Sequence, residues 1–277
     1  MTPPVAYPGP PGSHTAAAAV ALFPSGPHLP VSGFRAVAEA VLAADVSYGV
    51  LPIENSLAGS VAETHDLLYE RSLSIVGETI LPITHCLVAT GKIPLSEIRS
   101  IHSHPTALDQ CRTLVASLAP AASVMPATTT AEAAQLVAEG GDPTAAAIVS
   151  ETAAELYGLT VLVADAGDRE AFTRFVSIAP FTELRARHNA RTAFTFQTDH
   201  RPGALFRAIE PFARVGLDLV RLVSRPLPAT PWRYRFDAVV AGHPLDSNVR
   251  LALAELGSQA AALRVVGVYE GHPEEAA

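Results

Sequence analysis

Lysine, cysteine and long apolar runs are scarce in this chain of 277 residues. Lys92 is the sole lysine, and 19 basic against 27 acidic residues give a net charge of −8. A chain of that charge lacks the basic surface that a nucleic-acid-binding protein needs. The apolar run 16–23 stops at Pro24, and no basic residue precedes Arg35, so neither a signal peptide nor a membrane span is predicted. We therefore expect a cytoplasmic protein that binds neither nucleic acid nor a membrane.

Residues that could hold a metal ion are also few. Cys86 and Cys111 do not have the close spacing of metal ligands, so we expect two core thiols in a reducing compartment. His102 and His104 are the only closely spaced histidines, and no third ligand stands near them in the sequence. The sequence therefore predicts no metal site.

What the chain does contain is a repeated order of strand, polar turn and helix. Apolar residues make up 49% of the chain and charged residues 17%, which is typical of a globular protein, and the length suits two domains. The repeat over residues 5–158 predicts an α/β domain with a largely parallel sheet. In such a sheet, ligands bind beyond the carboxyl ends of the strands.

One stretch organises the rest. The apolar run 46–53 predicts a buried strand that delivers Glu54, Asn55 and Ser56 to its carboxyl end. Ser60 and Glu63 have the spacing of a capping box at the start of the next helix. A strand, a polar tripeptide and a capped helix together predict a site for an anionic ligand.

Three further turns have a similar form. They carry Gly12, Ser13 and Thr15 at 12–15, Ser103 at 103–105, and Thr129 and Thr130 at 128–130. We expect four helix N-termini to face one cleft, where each supplies about half a positive charge. Because no Gly-rich lysine loop is present, a small di-acid is favoured over a phosphate ester. Thr173 and Arg174, at the start of the predicted strand 175–178, are assigned to the same cleft.

These residues carry a family resemblance. Pro-Ile-Glu-Asn-Ser at 52–56 with Gly59 and Asp66, Ser-His-Pro at 103–105 with Gln110-Cys111, and Thr-Arg-Phe at 173–175 closely resemble prephenate dehydratase. The resemblance implies a two-lobed catalytic domain like a type II periplasmic binding protein at 1–182, with one lobe near 1–78 and 159–182 and the other near 79–158. It also implies conversion of prephenate to phenylpyruvate, water and carbon dioxide.

The same resemblance implies residue roles. Thr173 would donate to the leaving oxygen, while Asn55, Ser103 and Gln110 would contact substrate and Glu54 would orient Arg174 or a helix terminus. Phe175 joins the substrate-binding set, and aromatisation makes a cofactor unnecessary. The chain departs from the family where Ser13-His14-Thr15 replaces Thr-Phe-Ser, Thr106 replaces Gln and Ala171 replaces Asn.

A second domain is predicted after a linker at 180–190. The order βαββαβ over 190–277 is ferredoxin-like. The segments Gly203-Ala204-Leu205 and Ser224-Arg225-Pro226 resemble an ACT regulatory domain, which implies phenylalanine binding at a subunit interface in a homodimer or a dimer of dimers. Val223 stands where a glutamate is usual, so the strength and sign of that regulation stay open.

Three alternatives were weighed. A solute-binding protein would share the two-lobed fold but would be exported and would not need the second domain. A non-aromatising prephenate decarboxylase would bind the same dianion without using a donor at Thr173. An arogenate dehydratase would act on the amino counterpart of prephenate, and the sequence does not separate this alternative from prephenate dehydratase.

Overall fold

The computed structural model describes residues 4–71, 73–119, 121–180, 188–227 and 230–272. The predicted linker at 180–190 lies largely outside these residues. The strands are β1 (Val5–Pro8), β2 (His28–Val31), β3 (Tyr48–Asn55), β4 (Gly59–Ser60), β5 (Leu73–Pro82), β6 (Cys86–Ala89), β7 (Ser100–Ser103), β8 (Ser123–Pro126), β9 (Ala145–Val149), β10 (Thr160–Val163), β11 (Phe172–Pro180), β12 (Ala190–Gln197), β13 (Leu219–Pro226), β14 (Tyr234–Ala241) and β15 (Ala262–Glu270). The α-helices are α1 (His14–Leu22), α2 (Phe34–Leu42), α3 (Ala62–Glu70), α4 (Pro105–Gln110), α5 (Arg112–Leu118), α6 (Thr130–Gly140), α7 (Glu151–Leu156), α8 (Ala204–Arg214) and α9 (Ser247–Gln259).

The first lobe is built on one half of a ten-stranded sheet. Its strands run in the order β5-β11-β3-β1-β2, with β4 paired to β3. Strands β1, β2 and β3 are parallel, whereas β11 runs antiparallel to both β3 and β5. Helices α1, α2 and α3 cover this half of the sheet and bury apolar residues such as Val37, Val41 and Leu67.

The second lobe has its own five-stranded sheet in the order β10-β6-β9-β7-β8. Strand β9 reads Ala-Ala-Ala-Ile-Val and is buried along its whole length, as expected for a central strand with helices on both faces. Helices α6 and α7 pack on one side through small alanines, and α4 and α5 close the other side. The two-lobed α/β architecture is therefore as predicted.

Two details of that prediction are wrong. The sheets are mixed rather than largely parallel, because β11 runs antiparallel to both β3 and β5, and β6 runs antiparallel to both β9 and β10. Strand β10 belongs to the sheet of the second lobe, so the return to the first lobe comes after Val163 and not near 159. The sequence pattern also missed β2, β8 and β10, all at sheet edges, where exposure weakens the apolar signal.

The C-terminal unit has the predicted βαββαβ order, with strands β12 to β15 and helices α8 and α9. One face of its sheet packs on both helices, and Phe194, Phe196 and Phe212 stack in that core. The other face covers the first lobe, where Ala193, Val239 and Val266 join its core. Strand β15 also pairs with β5 at Gly267 and Ile75, which continues the sheet of the first lobe into the C-terminal unit.

Candidate active site

A cleft of about 830 Å³ is formed where the two lobes meet. Its walls come from the loop after β1, the starts of α1, α2, α4 and α6, and the facing strands β3 and β11. The predicted site residues that line it are Ser13, Thr15, Asn55, Gln110, Thr129, Thr130, Thr173 and Phe175. These lining residues come from turns and strands that are far apart in the chain.

Thr173 and Asn55 form a pair at the floor of this cleft. They stand opposite each other on the antiparallel strands β11 and β3, and Thr173 is only 7% exposed. Asn55 Nδ2 donates to Thr173 Oγ1 at 2.9 Å. Because the oxygen accepts this bond, the hydroxyl hydrogen of Thr173 points to another acceptor.

The orientation of the Asn55 amide is fixed by its own loop. The backbone N–H groups of Leu57 and Ala58 donate to Asn55 Oδ1 at 3.0 and 2.9 Å. An oxygen that accepts two backbone bonds cannot exchange places with the amide nitrogen, which lacks lone pairs to offer. The loop after β3 therefore aims the Asn55 N–H at Thr173.

Helix starts surround the cleft as predicted, although not all four sites of the prediction hold. Ser13 accepts from the N–H of Ala16, and Thr129 accepts from that of Glu132, so both cap helices that begin at the cleft wall. The capping box at Ser60 is wrong. Val61 is the cap of α3, and no side-chain cap bond forms, because Ser60 is held in β4 against Glu54. The start of α2 at Gly33 lines the cleft and was not predicted.

Gln110 is held by a histidine that the sequence analysis overlooked. His85 Nε2 lies 2.9 Å from Gln110 Oε1, so the histidine donates and the amide nitrogen of Gln110 is left for other acceptors. His14, noted before only as a departure from the family, lies edge-on to His85 with ring centroids 5.9 Å apart. Both histidines line the cleft. His85 lies in the short connection between β5 of the first lobe and β6 of the second, and no local sequence pattern marks it as a site residue.

Arginine and lysine are absent from the described residues that line the cleft, which instead include Glu63, Glu132 and three histidines. Burial and the neighbouring His85 lower the pKa of His14 to about 4. Burial also lowers the pKa of His85 and of His104. These lowered pKa values favour the neutral form of all three rings at pH 7, so binding of an anion falls to hydrogen-bond donors and helix starts.

Glu54 and Arg174 lie outside the cleft, which corrects their assignment to it. Alternate residues of a strand point to opposite faces, so Asn55 and Thr173 face the cleft and their neighbours face away. Arg174 instead pairs with Glu54 at 3.5 Å and with the buried Glu78 at 3.1 Å. The contact expected between Glu54 and Arg174 is present, but it lies beneath the site, towards Tyr269 of the C-terminal unit.

Three other predicted residues also fall outside the cleft lining. Ser103 is fully buried, and its Oγ donates to the carbonyl of Ile148 at 2.5 Å, which ties β7 to β9. The carbonyl of Gly12 accepts from Ser150 Oγ at 2.9 Å, and a Cβ there would lie 3.0 Å from Ala153 Cα, so this glycine lets the lobes meet. Ser56 Oγ accepts from the N–H of Phe172 at 3.0 Å and closes the loop beside Thr173.

The residues assigned to phenylalanine binding lie in the C-terminal unit. Gly203 caps α8 in a left-handed conformation, with Ala204 and Leu205 in its first turn. Ser224 and Pro226 are exposed on β13, whereas Arg225 points towards the first lobe and binds both carboxylate oxygens of Asp66 in α3. Val223 is paired with Asp237 on the same face as Arg225.

No helix in the described parts of the chain is long and apolar enough to cross a membrane. Within those same parts, no three His, Cys, Asp or Glu residues are grouped closely enough to hold a metal ion. Cys86 and Cys111 are buried thiols that form no disulfide.

The fold and the cleft define a two-lobed α/β enzyme that binds a small ligand between its lobes. A model of the prephenate dehydratase family matches residues 5–182. This match covers more than half of the chain, so the chain belongs to the prephenate dehydratase family. The members of that family are lyases that form phenylpyruvate from prephenate on the way to phenylalanine.

Two relatives illustrate the range of the family. A bifunctional chorismate mutase/prephenate dehydratase of Aquifex aeolicus is 36% identical over 270 residues, which are 96% of this chain and 73% of that protein. A chloroplastic protein of Arabidopsis thaliana, arogenate dehydratase/prephenate dehydratase 2, is 34% identical over 276 residues, with 96% of this chain and 72% of that protein covered.

Two solved structures have the same fold over nearly the whole chain. A prephenate dehydratase of Arthrobacter aurescens in complex with L-Phe has a TM-score of 0.88 and 34% identity over 97% of this chain and 90% of that one. GqqA, described as a novel type of quorum quenching acylase, has a TM-score of 0.88 and 32% identity over 98% and 99% of the two chains.

Proposed function

We propose that this chain converts prephenate to phenylpyruvate in the cleft between its lobes, with Thr173 as the donor to the departing ring hydroxyl. The observation that carries this proposal is the bond from Asn55 Nδ2 to Thr173 Oγ1 at 2.9 Å. This bond orients the hydroxyl so that its hydrogen is available to a ligand. Neither residue needs to ionise for that role.

The chemistry needs little else from the protein. The bond between the ring and its carboxyl group breaks, and its electron pair enters the ring as carbon dioxide leaves. The bond between the ring and its hydroxyl then breaks, and the hydroxyl takes up a proton to leave as water. The prephenate dianion and one proton thus give the phenylpyruvate monoanion, carbon dioxide and water. Because aromatisation drives these steps, the proposal includes no cofactor.

Substrate would be held by uncharged donors. The Gln110 amide nitrogen and the starts of α1 and α6 line the cleft and would bind the carboxylates, and Phe175 would offer an apolar surface to the ring. Buried neutral donors of this kind bind an anion without a fixed counter-charge. Ser103, Glu54 and Arg174 would act only indirectly, by fixing the strands that carry Thr173 and His104.

Separate incubations with prephenate and with arogenate test the proposal. Phenylpyruvate from prephenate, or phenylalanine from arogenate, identifies the preferred substrate, because the two differ only at the side-chain α-carbon. We expect phenylpyruvate as the main product. A correctly folded protein that forms no aromatic product from either compound would refute the proposed reaction.

We further propose that the C-terminal unit is an ACT domain that binds phenylalanine and inhibits the enzyme. Its βαββαβ order and its Gly203-Ala204-Leu205 and Ser224-Arg225-Pro226 segments support this, and a similar protein was crystallised with L-Phe. Turnover measured with increasing phenylalanine, with tyrosine as the control, gives the strength and sign of the effect. Unchanged turnover and no bound phenylalanine at equilibrium dialysis would rule the regulation out.

A homo-oligomer, either a dimer or a dimer of dimers, belongs to the same proposal. Phe206 and Trp232 of the C-terminal unit are 66% and 80% exposed, which suits surfaces covered by a second subunit. Light scattering coupled to gel filtration measures the mass directly. A single species at the 29.0 kDa of one chain would contradict it.

The domain boundary and the cellular location are proposed on similar grounds. Strand β11 ends at Pro180 and β12 begins at Ala190, which supports a catalytic domain at 1–182 and a regulatory domain at 190–277. Limited proteolysis of the full chain should cut first between these strands. The free thiols of Cys86 and Cys111 suit a cytoplasmic protein, and fractionation of the native cells tests that location.

A further inference from the structure

The cleft would have to hold a dianion with very little positive charge of its own. Its described lining contains the carboxylates Glu63 and Glu132 but neither arginine nor lysine. Helix starts supply only partial charges. The two carboxylates of the dianion would be repelled by those of Glu63 and Glu132. The lining residues that can gain a full positive charge are His14, His85 and His104.

His14 has a nitrogen with nothing to bind. It is the first residue of α1, directly after the cap Ser13, and its buried Nε2 has no hydrogen-bond partner. A hydrogen bond to the backbone of Thr84 favours the protonated ring. Buried polar atoms are nearly always paired in folded proteins, so an unpaired nitrogen in a residue that lines a ligand cleft is a place for a ligand group.

The surroundings of His14 favour the neutral form of its ring. Burial has the largest effect on its pKa, and the neighbouring His85 lowers the pKa further, to about 4. A bound dianion opposes both effects, because a nearby negative charge favours the imidazolium form. The protonation state of His14 is therefore coupled to whether the cleft is occupied.

We propose that His14 takes up one proton as the dianionic substrate enters, so that an imidazolium bound to a substrate carboxylate provides the positive charge that the cleft lacks. The inference rests on the proposed function, which supplies the dianion. It assigns His14 to substrate binding, at a position where a phenylalanine would be unable to do the same.

The other histidines are less suited to carry this proton. His104 Nδ1 accepts from the N–H of Thr106 as the cap of α4, so protonation there would break an existing bond. Nδ1 of His85 is likewise buried without a partner, but the residue is only 3% exposed and its Nε2 is held by Gln110. A charge on His85 would also oppose one on His14, whose ring centroid is 5.9 Å away. Glu63 from α3 and Glu132 from α6 also face the cleft, and Glu132 is engaged by the N–H of Thr128 at 2.7 Å.

The pH dependence of substrate affinity tests the proposal. Above a free-state pKa near 4, and up to the pKa of His14 in the complex, uptake of one proton weakens binding about tenfold per pH unit. We expect the KM of the intact enzyme for prephenate to rise with this slope from about pH 5.5 and then to level off, while kcat changes less. The uncatalysed conversion of prephenate is subtracted at each pH.

Three variants sharpen the measurement. His14→Phe keeps a ring of similar size and cannot titrate, and His14→Gln keeps a polar group, so at least one should retain the fold. Both should have a KM that hardly changes over this pH range and that exceeds the KM of the intact enzyme at pH 5.5. His104→Asn is the matched control and should keep the slope.

The number of protons taken up on binding distinguishes a charged His14 from one with a purely structural role. A purely structural role would not change this number. Thr173→Val should bind prephenate and convert it at least about 100-fold more slowly. Calorimetry of this variant at pH 6.5, in two buffers of different ionisation enthalpy, measures the number of protons taken up on binding. We expect about one proton per site, falling to about zero when His14→Phe is added.

The outcomes separate the inference from the proposed function. No phenylpyruvate from the intact enzyme would refute the function itself. Turnover with a KM independent of pH, or a full pH slope in both His14 variants, would refute the role of His14 and leave the function standing. Loss of the slope in His104→Asn alone would move the proton to His104 and would equally overturn the assignment.

Discussion

Two regions of this molecule handle charge in opposite ways. The cleft is lined by hydroxyls, amides and neutral histidines, whereas the surface between the first lobe and the C-terminal unit is crossed by ion pairs. There, Asp66 accepts from Arg225 and Arg235 at 2.7 Å each, and Arg235 is also paired with Asp237 at 3.3 Å. Arg174 and Glu78 form a second group on the same side of the sheet.

The difference shows where fixed charge is useful. At the surface between the units, paired charges are satisfied in one arrangement, which fixes how the C-terminal sheet lies on α3 and β5. In the cleft, a fixed arginine would bind the substrate and the transition state alike, and binding both equally well does not raise kcat. With neutral donors and a titratable ring, the site gains positive charge only when an anionic ligand binds.

The largest expected effect is on catalysis and comes from Thr173→Val. Removal of the hydroxyl removes the donor to the leaving oxygen, and we expect kcat to fall about 100-fold or more. Thr173→Ser keeps a hydroxyl next to Asn55 and should retain most of the activity. Equal rates for the valine and serine variants, both with unchanged circular dichroism, would show that the hydroxyl takes no part.

The next effect is on stability and comes from Glu78→Ala. Glu78 is 2% exposed at its side chain and binds Arg174 at 3.1 Å, so its loss leaves a buried guanidinium with less compensation. We expect the free energy of unfolding in urea to fall by about 3 kcal/mol. Asp109→Ala is the control, since its pair with Arg112 at 3.9 Å is exposed and should change stability by less than about 0.5 kcal/mol.

A third effect appears in acid. Burial raises the pKa of Asp237, but the bond from His65 and the charge of Arg235 outweigh burial and hold the pKa below its usual 3.8. The pKa of Asp66 is also lowered, by Arg225 and Arg235 against the effect of burial. Carboxylates with lowered pKa values stabilise the fold above pH 3.8, and that contribution is lost as pH falls through the lowered values.

Unfolding followed from pH 6 to pH 2 measures this loss. Asp237→Asn should be less stable than the intact chain at pH 6, and the gap should narrow as the pH falls below 3.8, because the intact chain then begins to lose the same charge. A constant gap between the two chains over the whole range would contradict the assignment of these carboxylates.

The smallest effect comes from a helix cap in the cleft. Thr129 accepts from the N–H of Glu132 at 3.0 Å, so Thr129→Ala should cost about 1 kcal/mol of stability and raise KM a few-fold. Thr130→Ala, next along the chain, removes no cap bond and should leave stability within about 0.5 kcal/mol. If both changes had the same effect on stability, the cap bond would have no measurable role.

Much of the site could be predicted, for physical reasons that apply to particular residues. Asn55 lies at the end of β3 and Thr173 near the start of β11, and both are next to polar turns. Ser13 and Thr129 are cap residues that directly precede helices. The local sequence pattern is therefore enough to locate all four residues. Arg174 and Glu54 share the same motifs, but side chains alternate along a strand, and the direction of each requires the register of β3 against β11.

Other features depend on contacts that leave no local signal. Ser60 looks like a cap, yet its pairing with Glu54 in β4 places the start of α3 one residue later. The bond of Ser103 to Ile148 and that of Gly12 to Ser150 join segments at least 45 residues apart. The local sequence around these residues therefore does not predict either bond. His85 was overlooked for the same reason, since only its bond to Gln110 gives it a place in the site.

Gly267 is the residue at which the C-terminal sheet joins the sheet of the first lobe. A methyl group at that position would lie 2.2 Å from the carbonyl oxygen of Ile75, a separation that no real side chain tolerates. Any other residue there would force β15 off β5 and open a seam through the ten-stranded sheet. The bare backbone at this crossing therefore allows β15 to pair directly with β5, the strand that borders Thr173.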